Sequence, residues 1–180
     1  MGPQSAPQVV EIGAGTGMFC AAMARWLPAS FVLGVDPSPP MLDEARRFNG
    51  HHCVRYVCCS AEAVPTRAGQ FDLALLSRAI HHVSDRRACA VELARVLRPG
   101  GGVVIRTTFR ENLDPLVYHY WPALLRGDAQ RFPGRQEMIF DFTAAGFTLQ
   151  QSASFAQPVV ESLRHYHARL ATKPQSKFNA

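Results

Sequence analysis

No apolar run in this chain approaches the roughly eighteen residues that a membrane-spanning helix needs. The first residues, MGPQSAP, have neither the basic start nor the apolar core of a secretory signal. No membrane partner is therefore expected, and the cytoplasm is the expected compartment. Charge is sparse as well: Asp, Glu, Lys and Arg make up 18% of the sequence. The formal net charge of +5 invites a nucleic-acid reading, but residues 1–100 carry ten basic and eight acidic side chains, and residues 101–180 carry nine and six. No basic cluster exceeds the pairs Arg46-Arg47 and Arg86-Arg87, which belong on solvated helix faces, so no nucleic acid is expected as a partner. The five cysteines form no CxxC pair and no Cys/His ladder with zinc spacing, which argues against a disulfide framework and a structural metal site. Adjacent Cys58 and Cys59 read as buried thiols inside a strand. Repeats and low-complexity stretches are absent too.

What remains is a chain of 180 residues, 47% hydrophobic, enough for one sizeable core and hence a single domain over residues 1–180. Apolar runs rich in β-branched residues alternate with stretches of helical period. Strands are predicted at 8–12, 31–36, 54–59, 71–77 and 102–108, and helices at about 17–27, from Pro39-Pro40 to Asn49-Gly50, and from Asp85 to Pro99-Gly100. That alternation predicts an α/β fold: a doubly wound, mostly parallel sheet with helices on both faces. The core spans 8–109. Residues 110–180 form the substrate side: the aromatic segment DPLVYHYWPALL as a lid or pocket wall, a helix over 136–145, a sixth strand in FTLQQSASF, and a short helix in the tail.

The sharpest signal is Glu11-Ile12-Gly13-Ala14-Gly15-Thr16-Gly17, directly after the first strand and directly before the first helix. Glycines at such a turn let a ligand approach the main chain with no Cβ in the way. The loop ends on a helix N-terminus, whose N–H groups and positive dipole suit a polar or anionic group. Asp36 closes the second strand nineteen residues after Gly17, where a carboxylate can accept both hydroxyls of a ribose. Together these residues describe a nucleoside pocket at the carboxyl ends of parallel strands. A dinucleotide fingerprint would need glycine where Met18 stands, which disfavours a nicotinamide-dependent oxidoreductase.

With its G-x-G-x-G loop the chain resembles the class I S-adenosylmethionine-dependent methyltransferases. The likeness extends through SAEAVP at 60–65, FDLALLS at 71–77 and LARVLRPGG at 93–101, in the family's order, over roughly residues 8–109. The resemblance implies a Rossmann-like fold and transfer of a methyl group from S-adenosyl-L-methionine to a small-molecule acceptor, leaving S-adenosyl-L-homocysteine. It assigns Glu11 to the cofactor's amino end, Gly13, Ala14, Gly15 and Gly17 to the backbone around its methionine part, and Asp36 to its ribose. Pro37, Ser38 and Met41 would flank the adenine, Ala61 would offer its N–H, and Ser60 or Glu62 would stand near the exocyclic amine. Ser60 departs from the acidic residue usual there. Ser77 and Arg78 would face the sulfonium side, and His81, in the loop SRAIHHV, would be the general base wherever the acceptor must lose a proton, with His82 turned away.

Blander roles stand beside these. Asp36 can be a helix cap, Tyr118, His119, Tyr120 and Trp121 can pack rather than form a lid, and His165 and His167 suit a solvated face. The family's upstream covering helices and its last antiparallel strand are not evident, so the sheet is expected to be incomplete at both ends. That leaves a non-catalytic module that binds S-adenosylmethionine as the alternative reading. The oligomeric state is open, a homodimer included.

Overall fold

The computed structural model describes residues 6–113, 118, 119, 121–155 and 164. The apolar runs form five strands: β1 (Gln8–Ile12), β2 (Phe31–Asp36), β3 (Val54–Cys58), β4 (Phe71–Ser77) and β5 (Leu97–Arg106). All pair in parallel, in the order β3-β2-β1-β4-β5. The order reverses between β1 and β4, and in such sheets a crevice opens beyond the carboxyl ends of those two strands.

Between and after the strands run the helices α1 (Met18–Trp26), α2 (Pro39–Phe48), α3 (Arg86–Val96), α4 (Pro122–Arg131) and α5 (Arg135–Ala144). Alternation along each strand divides its side chains between two faces. Val10, Ile12, Leu33, Val35, Ala74 and Leu76 meet Ala90, Leu93 and Val96 of α3 and Phe142 of α5. Val9 and Val32 face the other way, toward Cys20 and Met23 of α1. Asp85 caps α3 by accepting the Ala88 N–H at 3.0 Å, as its position before the helix predicts. No helix among the described residues is long and apolar enough to cross a membrane.

Three expectations need correction. Pro99-Gly100 does not separate α3 from a strand at 102, because β5 begins at Leu97 and absorbs the extra residues in a register shift against Phe71 and Leu73. FTLQQSASF is not a strand: residues 147–155 are irregular, and while Phe147 packs against the core beside Phe142, Leu149 and Phe155 are exposed. Nor are Cys58 and Cys59 both buried, since β3 ends at Cys58, which is exposed, and Cys59 is half-buried. The segment read as a lid lies partly outside the described residues, at 114–117 and Tyr120, and its last residues enter α4. Within it, the Tyr118 hydroxyl donates to Asp128 Oδ2 at 2.9 Å. The expected tail helix lies outside the described residues apart from Arg164, as do His165 and His167.

Candidate active site

At the carboxyl end of β1 the chain turns sharply, with Gly13, Gly15 and Gly17 all at positive φ of 53–80°. The three glycines answer different needs. A Cβ on Gly13 would collide with Ala79 Cβ, and one on Gly17 with the Tyr56 hydroxyl and Ala45, so both are held by packing. A Cβ on Gly15 would meet no protein atom within 4 Å, yet Gly15 lines the cleft beyond the switch point. The space in front of its backbone is thus kept open by the fold.

Asp36 ties this loop to the next. Its Oδ2 accepts the Gly15 N–H at 2.9 Å and its Oδ1 accepts the Ser38 N–H at 2.9 Å. The bond to Ser38, the N-cap of α2, gives Asp36 part of the capping role expected of it as a bland alternative. Each carboxylate oxygen keeps further acceptor capacity, and the residue lines the cleft. Pro37, Ser38 and Met41 form the adjoining wall.

The opposite wall comes from the loop between β3 and β4, where Cys59, Ser60, Ala61 and Glu62 line the cleft. This loop has no helix of its own and is held from α3. Glu92 Oε1 accepts the Val64 N–H at 2.7 Å, and Arg95 donates to the carbonyls of Thr66 at 2.8 Å and Val64 at 2.9 Å. Hydrogen bonds from Arg95 hold the Glu92 pKa below the ordinary carboxylate range. Glu62 Oε1 accepts the Asp85 N–H at 3.1 Å, joining the loop between β3 and β4 to the start of α3.

At the end of β4, Arg78 has φ 58°, the one non-glycine residue at positive φ among the described residues. Its N–H donates to the Arg106 carbonyl at 2.8 Å, which holds this left-handed turn in place, and it lines the cleft. Ser77 does not line it; its hydroxyl accepts from Arg106 Nη1 at 3.3 Å.

The histidine pair reverses its expected arrangement. Ile80–His82 is a single 3-10 turn with Ile80 fully buried, and the two imidazole rings lie 4.1 Å apart at a 46° tilt. Of the two, His82 lines the cleft. His81 stacks on Phe132 with ring centroids 4.4 Å apart, and its buried Nδ1 has no partner among the described residues. Burial, then the neighbouring His82, lowers the His81 pKa to about 4, and burial also lowers that of His82. Both rings are therefore neutral near neutral pH.

Glu11 is likewise not a wall of the cleft. It points to the α1 side of the sheet, 2% exposed, and accepts the Cys20 thiol at 2.9 Å. Burial raises its pKa to about 7. Ala14, buried under α1, does not line the cleft either. Ile12, Val35, Ala79, Val83 and Ser84 line it without having been given a role in the sequence, as do Cys59, read there as a buried thiol, and His82, read there as turned away. Only His82 carried a signal, as the second member of a histidine pair whose phase the buried Ile80 sets.

The cleft encloses about 520 Å³, inside the range of roughly 300–1,000 Å³ common for small-molecule sites. A larger opening of about 700 Å³ between α3 and α5 is lined by groups that satisfy one another, with Asp141 bonded to Arg87 at 2.9 Å and to Arg86 at 3.3 Å. The switch-point cleft is the candidate active site because its lining leaves the Asp36 carboxylate and the open face of Gly15 available.

Comparison with known proteins identifies the family. The chain is 39% identical over 128 residues to the biotin biosynthesis bifunctional protein BioCD of Bordetella avium, a match covering 71% of this chain and 27% of that protein. It is 32% identical over 166 residues to the ubiquinone/menaquinone biosynthesis C-methyltransferase UbiE of Desulfotalea psychrophila, covering 81% of this chain and 68% of the relative. The crystal structure of an S-adenosylmethionine-dependent methyltransferase from Mesorhizobium loti superposes with a TM-score of 0.69, covering 94% of this chain and 83% of that one. At 21% identity, that last likeness speaks to the fold. Residues 10–105, more than half of the chain, match the family described as the methyltransferase domain, and the chain belongs to that family.

Proposed function

We propose that this domain transfers a methyl group from S-adenosyl-L-methionine to a small-molecule acceptor in the cytoplasm. The observation that carries the reading is the pairing of Gly15, whose missing Cβ leaves open space, with the Asp36 carboxylate that braces it. A nucleoside with an amino-acid tail fits this donor set. Asp36 would accept the ribose hydroxyls, and Gly13 and Gly15 would admit the methionine part against the backbone. Pro37, Ser38 and Met41 would enclose the adenine on one side, with Ser60, Ala61 and Glu62 on the other. Arg78 would face the sulfonium side, with Ser77 behind it. Glu11, beneath the glycine loop, would act on the cofactor's amino end only through that loop.

When bound, S-adenosylmethionine supplies a methyl group already activated by its sulfonium. The chain's task is then alignment and exclusion of water. Where the acceptor must lose a proton, His82 is the better-placed base: it faces the cleft and is neutral near pH 7, whereas His81 is stacked on Phe132. The five free cysteines fit a reducing compartment.

Calorimetric titration of the full chain with S-adenosylmethionine, S-adenosylhomocysteine and NAD tests the proposal. Both adenosyl ligands should bind and NAD should not. Asp36→Ala should weaken S-adenosylmethionine by about 1–3 kcal/mol through lost hydrogen bonds to a charged group. Binding of NAD alone, or unchanged affinity in Asp36→Ala, overturns it.

A further inference from the structure

The strongest unassigned chemistry lies at the far end of the sheet from the cleft. Between α2 and the start of edge strand β3, the turn places His51, His52 and Cys53 side by side, with one ligand atom from each within 4.8 Å of the others. His51 Nδ1 and Cys53 Sγ are 3.2 Å apart, and the two imidazole rings lie 4.2 Å apart at a 37° tilt. In a tetrahedral zinc site, with bonds of about 2.0–2.1 Å to nitrogen and 2.3 Å to sulfur, the nitrogen–sulfur edge is about 3.5 Å. The observed pair already sits near that edge, and a ring nitrogen of the exposed His52 lies within 4.8 Å of both atoms.

The turn that carries these donors is fixed. The His51 carbonyl accepts the Val54 N–H at 3.0 Å, the Cys53 carbonyl accepts the Val32 N–H at 2.8 Å, and the His52 carbonyl accepts Arg55 Nη1 at 3.3 Å. All three residues are therefore anchored through their backbones, which lowers the ordering cost of assembling a ligand set. Arg55 also donates to the Val54 carbonyl at 2.9 Å, which keeps its charge on the backbone of the turn. At the sheet edge, with β2 on one side alone, His52 is exposed while His51 and Cys53 are half-buried.

The geometry points to a metal site at His51, His52 and Cys53 that takes a borderline-soft divalent cation of the zinc type, with two imidazoles, one thiolate and a fourth position left to water. Two nitrogens and one sulfur select such ions over magnesium or calcium, which prefer oxygen. Cys53 binds as the thiolate and releases its proton to the buffer. The spacing, three consecutive residues, lacks the separated pairs by which zinc sites are read from sequence.

Titration of the reduced, chelator-treated full chain with Co²⁺ alone, then Zn²⁺ alone, tests the assignment. One Co²⁺ per chain should bind with a thiolate-to-metal charge-transfer band in the near ultraviolet, and Zn²⁺ should displace it. Cys53→Ser should abolish the band, His52→Ala should weaken Co²⁺ by at least about tenfold, and Cys58→Ser should leave both unchanged. Absence of the band in the unaltered chain, or its persistence in Cys53→Ser, overturns the site. Should circular dichroism show Cys53→Ser to be unfolded, His52→Ala decides, since its exposed ring supports no core: unchanged Co²⁺ affinity there also overturns the proposal.

Discussion

The two faces of the central sheet are built on different principles. Toward α3 and α5 the strands present the larger apolar cluster, and Val10, Ile12, Leu76, Leu93 and Val96 are almost wholly excluded from water. Toward α1 the same strands carry a buried carboxylate, Glu11, bonded to the Cys20 thiol, with the Tyr56 hydroxyl close by donating to the carbonyls of Asn49 at 2.8 Å and Gly17 at 3.3 Å. Cover on this side also thins out: Leu73 and Leu75 are half-buried and Val104 is 50% exposed. The first face supplies stability by excluding water. The second holds the glycine loop in shape and carries a titratable group directly beneath it.

Four substitutions sharpen or break that contrast. Phe71→Ala removes a fully buried ring from the apolar face, where Phe71 stacks on Phe31 at 6.4 Å. It should cost about 3–5 kcal/mol in denaturant unfolding, and a loss below 1 kcal/mol would mean the face is not the main source of stability. Glu11→Gln acts on the other face through pH. Because burial raises the Glu11 pKa from 4.5 to about 7, the folded chain holds a proton that the unfolded chain has lost across that window, and stability falls as pH rises through it. The glutamine variant should flatten this decline, gaining on the order of 3 kcal/mol relative to the unaltered chain above pH 7. Parallel pH profiles for the two proteins would show Glu11 to be less buried in solution.

Glu92 behaves in the opposite way. Arg95 and the Val64 N–H depress its pKa, so its contribution is present above the unfolded value of 4.5 and lost as pH falls below it. Glu92→Gln should cost about 2 kcal/mol at neutral pH and loosen the Ser60–Glu62 wall, measurable by amide exchange. Val104→Thr, on the thin part of the α1 side, should change stability by less than about 0.5 kcal/mol. A cost comparable to that of Phe71→Ala would show that something covers this face in solution.

Much of the fold was legible because its signals are local. An apolar run of five to seven residues bounded by turn residues reads as a strand wherever it packs, and the four strands β1–β4 appear within a residue of their predicted bounds. The glycine loop and Asp36 were legible because backbone geometry confines the choice of residue there. Residues 147–155 misled because alternation counts only when a partner strand and a core are in place, and Leu149 and Phe155 have neither. Adjacent His81 and His82 were indistinguishable in sequence, since which one faces the cleft depends on the buried Ile80 and on Phe132, fifty residues away.

The sequence by itself determined the parallel α/β architecture, the switch-point loop and the carboxylate beside it, because hydrophobic period and glycine placement act over a few residues. Only the tertiary structure decided that Glu11 lies under the loop rather than in the cleft, that His82 and not His81 faces it, and that His51, His52 and Cys53 converge. Those outcomes depend on strand phase, helix packing and the anchoring of one turn against a neighbouring strand, which arise when distant segments exclude water together.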